Sequence, residues 1–190
     1  MPVWILCVCW KRTFFPAIIS VGAKFERGEY FLTDLMSAAD TMRAASRVLV
    51  SGIREESKGK TMAGRIGKIM IGTVSGDIHD IGKNIVALLL EVNGFDTHDL
   101  GKDVESLKFI ERAKEVQADI MALSALMMTT KPAQKEVMDL LNEMGLRKKL
   151  LVIIGGAPTT NEWAEQIGAD GWAETAEQGV ELAQKLVKER

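Results

Sequence analysis

The sequence predicts an α/β protein, with a five-stranded parallel sheet covered by helices following an N-terminal helical segment. Three observations predict it. From Lys68 onward, short β-branched apolar runs alternate with amphipathic helical stretches. Between Phe25 and Glu56, apolar residues instead recur at spacings of three and four. Ser57 to Arg65, SKGKTMAGR, is glycine- and lysine-rich with no apolar period, the composition of an exposed linker. The expected division is therefore residues 1–65, helical, and 66–190, the sheet domain.

Val3 to Trp10 is apolar, but Lys11 and Arg12 end the run well short of the roughly 20 residues that cross a bilayer. No basic stretch precedes it and no small-residue cleavage site clearly follows, so it does not read as a secretion signal. The reading is a cytoplasmic protein with no membrane partner. Phe31, Leu32, Leu35, Met36, Ala39, Met42 and Ala45 form one apolar stripe. Thr33 is the expected N-cap of that helix, and a turn over Gly28 to Leu32 separates it from a short preceding helix.

Lys68 to Val74 (KIMIGTV) reads as the first strand, Ile81 to Asn93 as a helix stopped by Gly94, and Phe95 to Asp99 as the second strand. Glu105 to Val116 is helical, Ile120 to Ser124 the third strand, Pro132 to Met144 a helix ended by Gly145, and Leu150 to Ile154 the fourth strand. Helices at Thr160 to Ile167 and Ala176 to Lys188 flank a weak fifth strand at Asp170 to Trp172. Strands separated by helices imply parallel pairing with right-handed crossovers. The common order for such a Rossmann-like, flavodoxin-like sheet is 2-1-3-4-5, with ligands beyond the C-terminal ends of strands 1 and 3, where the order reverses.

The chain has 190 residues, 47% of them hydrophobic, enough for a substantial core. Its 24 Lys+Arg and 26 Asp+Glu leave a net charge of -2, which provides no field for nucleic acid. Cys7 and Cys9 match neither a zinc site nor a disulfide framework, so the compartment is read as reducing.

The loop after strand 1, Ser75-Gly76-Asp77-Ile78-His79-Asp80-Ile81-Gly82, lies at the expected switch point, and strand 3 ends beside it at Ser124-Ala125-Leu126. A loop imidazole is free to face a ligand, and Asp77, two residues earlier, can accept its second N-H and fix the tautomer. Gly82 removes a side chain where a bulky ligand or the loop itself comes close, and the helix start adds N-H donors. With only His79 and His98 available, zinc or iron sites built from three or four protein donors are excluded. A macrocycle that brings its own four nitrogens needs only one axial histidine. Alone, an Asp-x-His pair is more often an ordinary polar loop. Asp80 by itself reads as a solvated or helix-capping residue, His98 as a half-exposed strand residue, and Met127, Met128, Met138 and Met144 as packing residues.

Asp77-Ile78-His79-Asp80-Ile81-Gly82 matches Asp-x-His-x-x-Gly, Ser124-Ala125-Leu126 matches Ser-x-Leu, and Gly155-Gly156-Ala157 matches a later Gly-Gly. In this order and placement they resemble the cobalamin-binding domain of methionine synthase, corrinoid methyltransferase proteins and B12-dependent mutases, over about residues 66 to 190. The resemblance implies a corrinoid cofactor whose cobalt takes His79 as axial ligand, with Asp77 behind it. It also implies cofactor contacts from Asp80, Ile81, Gly82, Ser124, Leu126, Thr130, Gly155, Gly156 and Ala157. Ser124 and Leu126 would wall the pocket for the displaced base. Relatives commonly carry Thr where this chain has Met128, although Thr129 and Thr130 follow.

The segment Phe25 to Met36, FERGEYFLTDLM, resembles the helical cap of methyl-carrying corrinoid proteins. That cap is a four-helix bundle, and the short segment here, with Met1 to Phe15 not reading as an amphipathic helix, leads to the expectation of an incomplete bundle. The resemblance implies a non-catalytic carrier subunit. It would shuttle a methyl group between a substrate-specific methyltransferase and a second corrinoid-dependent methyltransferase, with a reductive activation protein as a further partner. Three alternatives stay open: a small subunit of an adenosylcobalamin mutase, a B12-sensing regulatory domain, and a flavodoxin-like domain for another nucleotide.

Overall fold

The computed structural model describes residues 10–57 and 66–189. The chain divides into two compact units, Met1–Thr61 and Met62–Arg190. The expected linker falls largely outside the described residues, as do Cys7 and Cys9.

In the first unit a π-helical turn, Trp10–Phe14, leads into α1 (Phe15–Glu26), followed by α2 (Leu32–Ser57). Pro16 lies in the first turn of α1, where its missing N-H costs no hydrogen bond. Gly28, at φ +71°, turns the chain between the helices. The entry to α2 differs from the sequence expectation. Thr33 already lies inside the helix, and the cap is Asp34, whose Oδ2 accepts the Phe31 N-H at 2.8 Å. Asp34 places a carboxylate at the helix N-terminus, where the dipole favours it. Of the predicted stripe, Met42 is buried, whereas Phe31, Leu32 and Met36 are exposed.

The second unit contains β1 (Lys68–Thr73), α3 (Ile81–Val92), β2 (Asp96–Asp99), α4 (Ser106–Val116) and β3 (Ile120–Ser124). It continues through α5 (Pro132–Glu143), β4 (Leu151–Gly155), α6 (Asn161–Ile167), β5 (Gly171–Ala173) and α7 (Ala176–Lys188). The sheet order is β2-β1-β3-β4-β5, every pair parallel, as the alternation predicts. Helix α3 packs with α7, and α4 with α5. The central strands β1, β3 and β4 are buried because helices cover them, which is why they read as continuous apolar runs, whereas the edge strands β2 and β5 are half-buried. Met70, Phe109, Met121, Leu123, Met138, Leu141, Val152 and Ile154 form the centre of the core. The ring of Phe109 lies so close over β1 that a Cβ at Gly72 would meet it at 2.7 Å.

Element boundaries move by one residue or so. The predicted start of the fourth strand at Leu150 gives way to a 3-10 turn, Arg147–Lys149, and the strand begins at Leu151. Arg147 ties this turn to the loop before β5. Its guanidinium donates to the carbonyls of Gly168 (2.7 Å) and Leu150 (3.0 Å) and pairs with Asp170 at 2.8 Å.

Lys83, in the first turn of α3, has a fully buried side chain, and its ammonium reaches both Asp99 oxygens at 2.6 Å and Asn84 Oδ1 at 2.6 Å. Asp99, at the end of β2, is 40% exposed at its side chain, so the two partners are not equivalent. Asp99→Ala strands a buried cation and is expected to lower unfolding stability by about 3 kcal/mol. Lys83→Met leaves only a hydrated carboxylate and is expected to cost less than about 1 kcal/mol. Urea denaturation of the two variants checks the asymmetry.

Candidate functional site

Strand β1 leaves the sheet at Thr73, and the next seven residues form the loop before α3. Gly76, at φ +79°, turns the backbone so that Asp77 is carried back beneath the sheet end, where it is fully buried. A buried carboxylate needs partners, and Asp77 has four. Oδ1 accepts the His79 backbone N-H at 3.0 Å and lies 2.7 Å from His79 Nδ1. Oδ2 accepts the Leu126 N-H and the Thr130 hydroxyl, both at 2.7 Å.

Burial pushes the Asp77 carboxyl upward, but the Thr130 hydroxyl, the N-H groups of Leu126 and His79 and the His79 ring outweigh it, holding its pKa at about 2 against an ordinary 3.8. The folded value lies below the unfolded one. The associated stability is therefore complete above about pH 4 and is lost as pH falls toward 2, at most about 2 kcal/mol. Urea midpoints between these pH values are expected to fall more steeply for the wild-type chain than for Asp77→Ala.

The carboxylate accepts from Nδ1, which places the imidazole proton there and leaves the Nε2 lone pair free. Nε2 has no partner among the described residues, and the ring is 45% exposed. The Thr73 hydroxyl donates to the His79 carbonyl at 3.0 Å, so the histidine backbone is fixed on both sides of its Cα. The result is a rigid, outward-facing, single-nitrogen donor at the switch point of the sheet. His98, by contrast, lies in β2 with Nε2 3.7 Å from Asp96. Among the described residues no three His, Cys, Asp or Glu side chains cluster as a metal site would require.

The other predicted residues separate into groups. Thr130, expected to contact cofactor, is buried and turned onto Asp77, so it acts on the histidine through the carboxylate. Asp80 occupies the N-cap position of α3 without a side-chain cap bond. Ile81 is half-buried, Gly82 and Ala157 exposed. A Cβ at Gly82 would meet nothing within 4 Å, so the protein's own packing does not require glycine there; the open ground suits an external body. Gly156 is also required by the fold itself. It sits at φ +119°, and a Cβ there would lie 1.7 Å from the Ala125 carbonyl oxygen, so the close approach is to the chain's own backbone.

Ser124 pairs in register with Gly155, and Gln134, fully buried, bridges the same strand ends by donating to the carbonyls of Leu123 (3.0 Å) and Gly155 (3.2 Å). Trp163 Nε1 donates to its Oε1 at 3.0 Å, so both amide N-H groups and the amide oxygen have partners. The sequence reading passed over Gln134 because a lone Gln in an amphipathic helix carries no pattern. It also passed over Asp103, whose Oδ1 accepts the Gly76 N-H at 2.7 Å. The loops after β1 and β3 carry exposed apolar side chains, Ile78, Leu126, Met127 and Met128. Apolar surface of this kind beside a polar donor marks a binding face.

Fold and site together define a class: a doubly wound domain that presents one carboxylate-backed imidazole, open glycine ground and apolar loop tips at its switch point. The chain belongs to the B12-binding domain family, whose model matches residues 67–181. A second B12 binding domain model matches residues 9–50. Over 167 residues the chain is 49% identical to dimethylamine corrinoid protein 3 of Methanosarcina mazei, covering 88% of this chain and 98% of that protein. It is 50% identical to dimethylamine corrinoid protein 1 of Methanosarcina acetivorans, covering 88% and 76%. The solved Methanosarcina barkeri monomethylamine corrinoid protein superposes with a TM-score of 0.86 at 34% identity, covering 95% of this chain and 84% of that one. The Rossmann-like class expected from the sequence is thus the class found, and the chain is a corrinoid-binding protein.

Proposed function

We propose that the chain is a methyl carrier in which His79 ligates the cobalt of a bound corrinoid. The observation that carries this reading is the buried Asp77 carboxylate, held by four hydrogen bonds, with its Oδ1 2.7 Å from His79 Nδ1. When bound, the corrinoid supplies cobalt that takes a methyl group from one partner and gives it to another. The chain's residues bind, orient and manage a proton. Asp77 keeps the proton on Nδ1 and leaves the Nε2 lone pair facing outward. Thr130 and the Leu126 N-H keep Asp77 in place and ionised.

Gly82 and Ile81 leave room at the helix start, while Ser124, Leu126, Gly155, Gly156 and Ala157 line the ground beyond β3 and β4. Asp80 contacts the cofactor edge. In this reading the N-terminal helices are the counterpart of the helical segment of methyl-carrying corrinoid proteins, and Phe31, Leu32 and Met36 are apolar side chains exposed on them.

The partners in this reading are a substrate-specific methyltransferase, a second corrinoid-dependent methyltransferase and a reductive activation protein, in the cytoplasm. Among the described residues no helix is long and apolar enough to cross a membrane. The donor is a methylated amine, on the strength of identities of 49% and 50% to dimethylamine corrinoid proteins.

The test uses the full chain loaded with cobalamin, reduced, and offered dimethylamine with its methyltransferase or methanol with its own. Methylation of the bound cofactor from dimethylamine alone is the expected result. Loading from methanol alone overturns the donor class. Bound corrinoid that accepts methyl from neither, yet supports a mutase with adenosylcobalamin, overturns the carrier reading.

A further inference from the structure

The loop that presents His79 is held from two sides, and only one of them uses Asp77's side chain. On the β3 side, the Val74 N-H donates to the Ser124 carbonyl at 3.0 Å, and Asp77 Oδ2 takes Leu126 and Thr130. On the β2 side, residues 100–104 run along the end of β1 as a splint. The Leu100 N-H donates to Ile71 (2.8 Å), Thr73 to Gly101 (3.0 Å) and Val104 to Thr73 (3.0 Å). The splint ends on Asp103, which makes a reciprocal pair with the loop: its N-H donates to the Asp77 carbonyl at 2.9 Å, and its Oδ1 accepts the Gly76 N-H at 2.7 Å.

Asp103 pays for this geometry. It is one of two non-glycine residues at positive φ among the described residues, at +52°, a region that Asp tolerates better than most but that still costs energy. The other end of the splint is anchored as well. Asp99 Oδ1 accepts the Gly101 N-H at 2.8 Å while holding the buried Lys83 ammonium at the start of α3. The loop from β1 to α3 is therefore tied to one external strut at both of its ends.

We propose that Asp103 is a positioning residue for His79: by fixing the backbone on both sides of Asp77, it keeps the Asp77 carboxylate under the imidazole and so holds Nε2 at the height and angle of an axial ligand. This rests on the reading of His79 as that ligand. Asp103 is exposed and does not touch the cofactor in this account. Its loss leaves the pocket in place and raises only the freedom of the loop. The consequence is a shift in the fraction of bound corrinoid that carries the histidine. One charge-assisted hydrogen bond of this kind corresponds to about tenfold.

The experiment uses the full chain prepared with nitrogen-15 histidine, reconstituted with cobalamin and reduced by one electron, so that paramagnetic resonance separates cobalt carrying the histidine nitrogen, a doublet, from cobalt carrying the cofactor's own base, a triplet, or no axial nitrogen. Wild type, Asp103→Gly, Asp103→Asn and His79→Ala are compared for ligated fraction, cobalamin affinity and thermal midpoint. Asp103→Gly removes the acceptor together with the strained Cβ, so folding is retained. Its expected behaviour is cobalamin affinity within about threefold of wild type and an unligated-to-ligated ratio raised about tenfold. Asp103→Asn keeps an acceptor and a tolerated φ and is expected to restore most of the ligated fraction.

An unchanged ligated fraction in Asp103→Gly, with the doublet lost in His79→Ala, overturns the Asp103 assignment alone. A fall in thermal midpoint with no change in ligation gives it a purely structural role and likewise overturns it. A wild-type chain that shows no doublet overturns the axial reading itself, and this proposal with it.

Discussion

Gly156→Ala is expected to keep the second unit from reaching a stable native fold. The new Cβ would lie 1.7 Å from the Ala125 oxygen, 2.7 Å from its carbon and 3.0 Å from its nitrogen. All three are backbone atoms, so no side-chain rotation relieves the overlap. Ala125 cannot retreat without breaking its N-H to the Gly155 carbonyl at 3.1 Å, the last link between β3 and β4. At φ +119° an L-residue is strained even without the clash. The cost exceeds the roughly 4–5 kcal/mol that marks exceptional single substitutions, against a typical domain stability of about 5–15 kcal/mol. Soluble yield and the urea midpoint of the purified chain measure it. Gly82→Ala provides the contrast. Its Cβ meets nothing, and alanine favours a helix over glycine by about 1 kcal/mol. That variant is expected to be as stable as wild type or more so, and to load corrinoid less well because the methyl group occupies ground left open for the cofactor.

Asp77→Asn is expected to fold and still lose the metal-directed nitrogen. The amide can place its oxygen toward Leu126 and Thr130, which keeps the more buried half of the network, but its NH2 then faces His79. Nδ1 must accept instead of donate, the imidazole proton moves to Nε2, and the lone pair aimed outward disappears. The His79 backbone N-H also loses its acceptor. Replacing a carboxylate behind a metal-binding histidine typically costs 10- to 100-fold in affinity, and a loss of about that size in corrinoid affinity is expected here. Asp77→Ala also removes the acceptor of the Leu126 N-H and leaves the buried Thr130 hydroxyl with only the Met127 carbonyl at 3.1 Å, for about 2 kcal/mol of lost stability. Absorbance titration with cobalamin and urea denaturation separate the two effects: Asn loses binding at modest cost in stability, and Ala loses both.

These variants also show which parts of the molecule were written locally. Ile120–Ser124 and Ala176–Lys188 appear with the bounds the sequence predicts, because an apolar β-branched run and a strongly amphipathic stretch each carry their own period. The sheet order followed from alternation and handedness, and the switch point placed His79 and Ser124 on neighbouring strand ends. One miss is local: Thr33 has the type of a cap, yet the helix starts at Leu32, two residues before the start such a cap implies, and Asp34 reaches back to Phe31. The others are long-range. Thr130 looked like a ligand contact, yet 53 residues of separation conceal its bond to Asp77. Asp103 and Gln134 lie in stretches without pattern, and their roles exist only once distant backbone groups are brought to them. Gly156 was legible as a required glycine but not for this further reason, since Ala125 is adjacent only in the folded sheet.

Paramagnetic resonance of the full chain, loaded with cobalamin, reduced by one electron, and prepared with histidine labelled by nitrogen-15, identifies the nitrogen on cobalt. If His79 supplies the axial nitrogen, the superhyperfine pattern on cobalt changes from the triplet of nitrogen-14 to the doublet of nitrogen-15, and Asp77→Asn weakens it. A triplet that survives the label means that the cofactor's own base, and not His79, occupies the axial position, and contradicts the account.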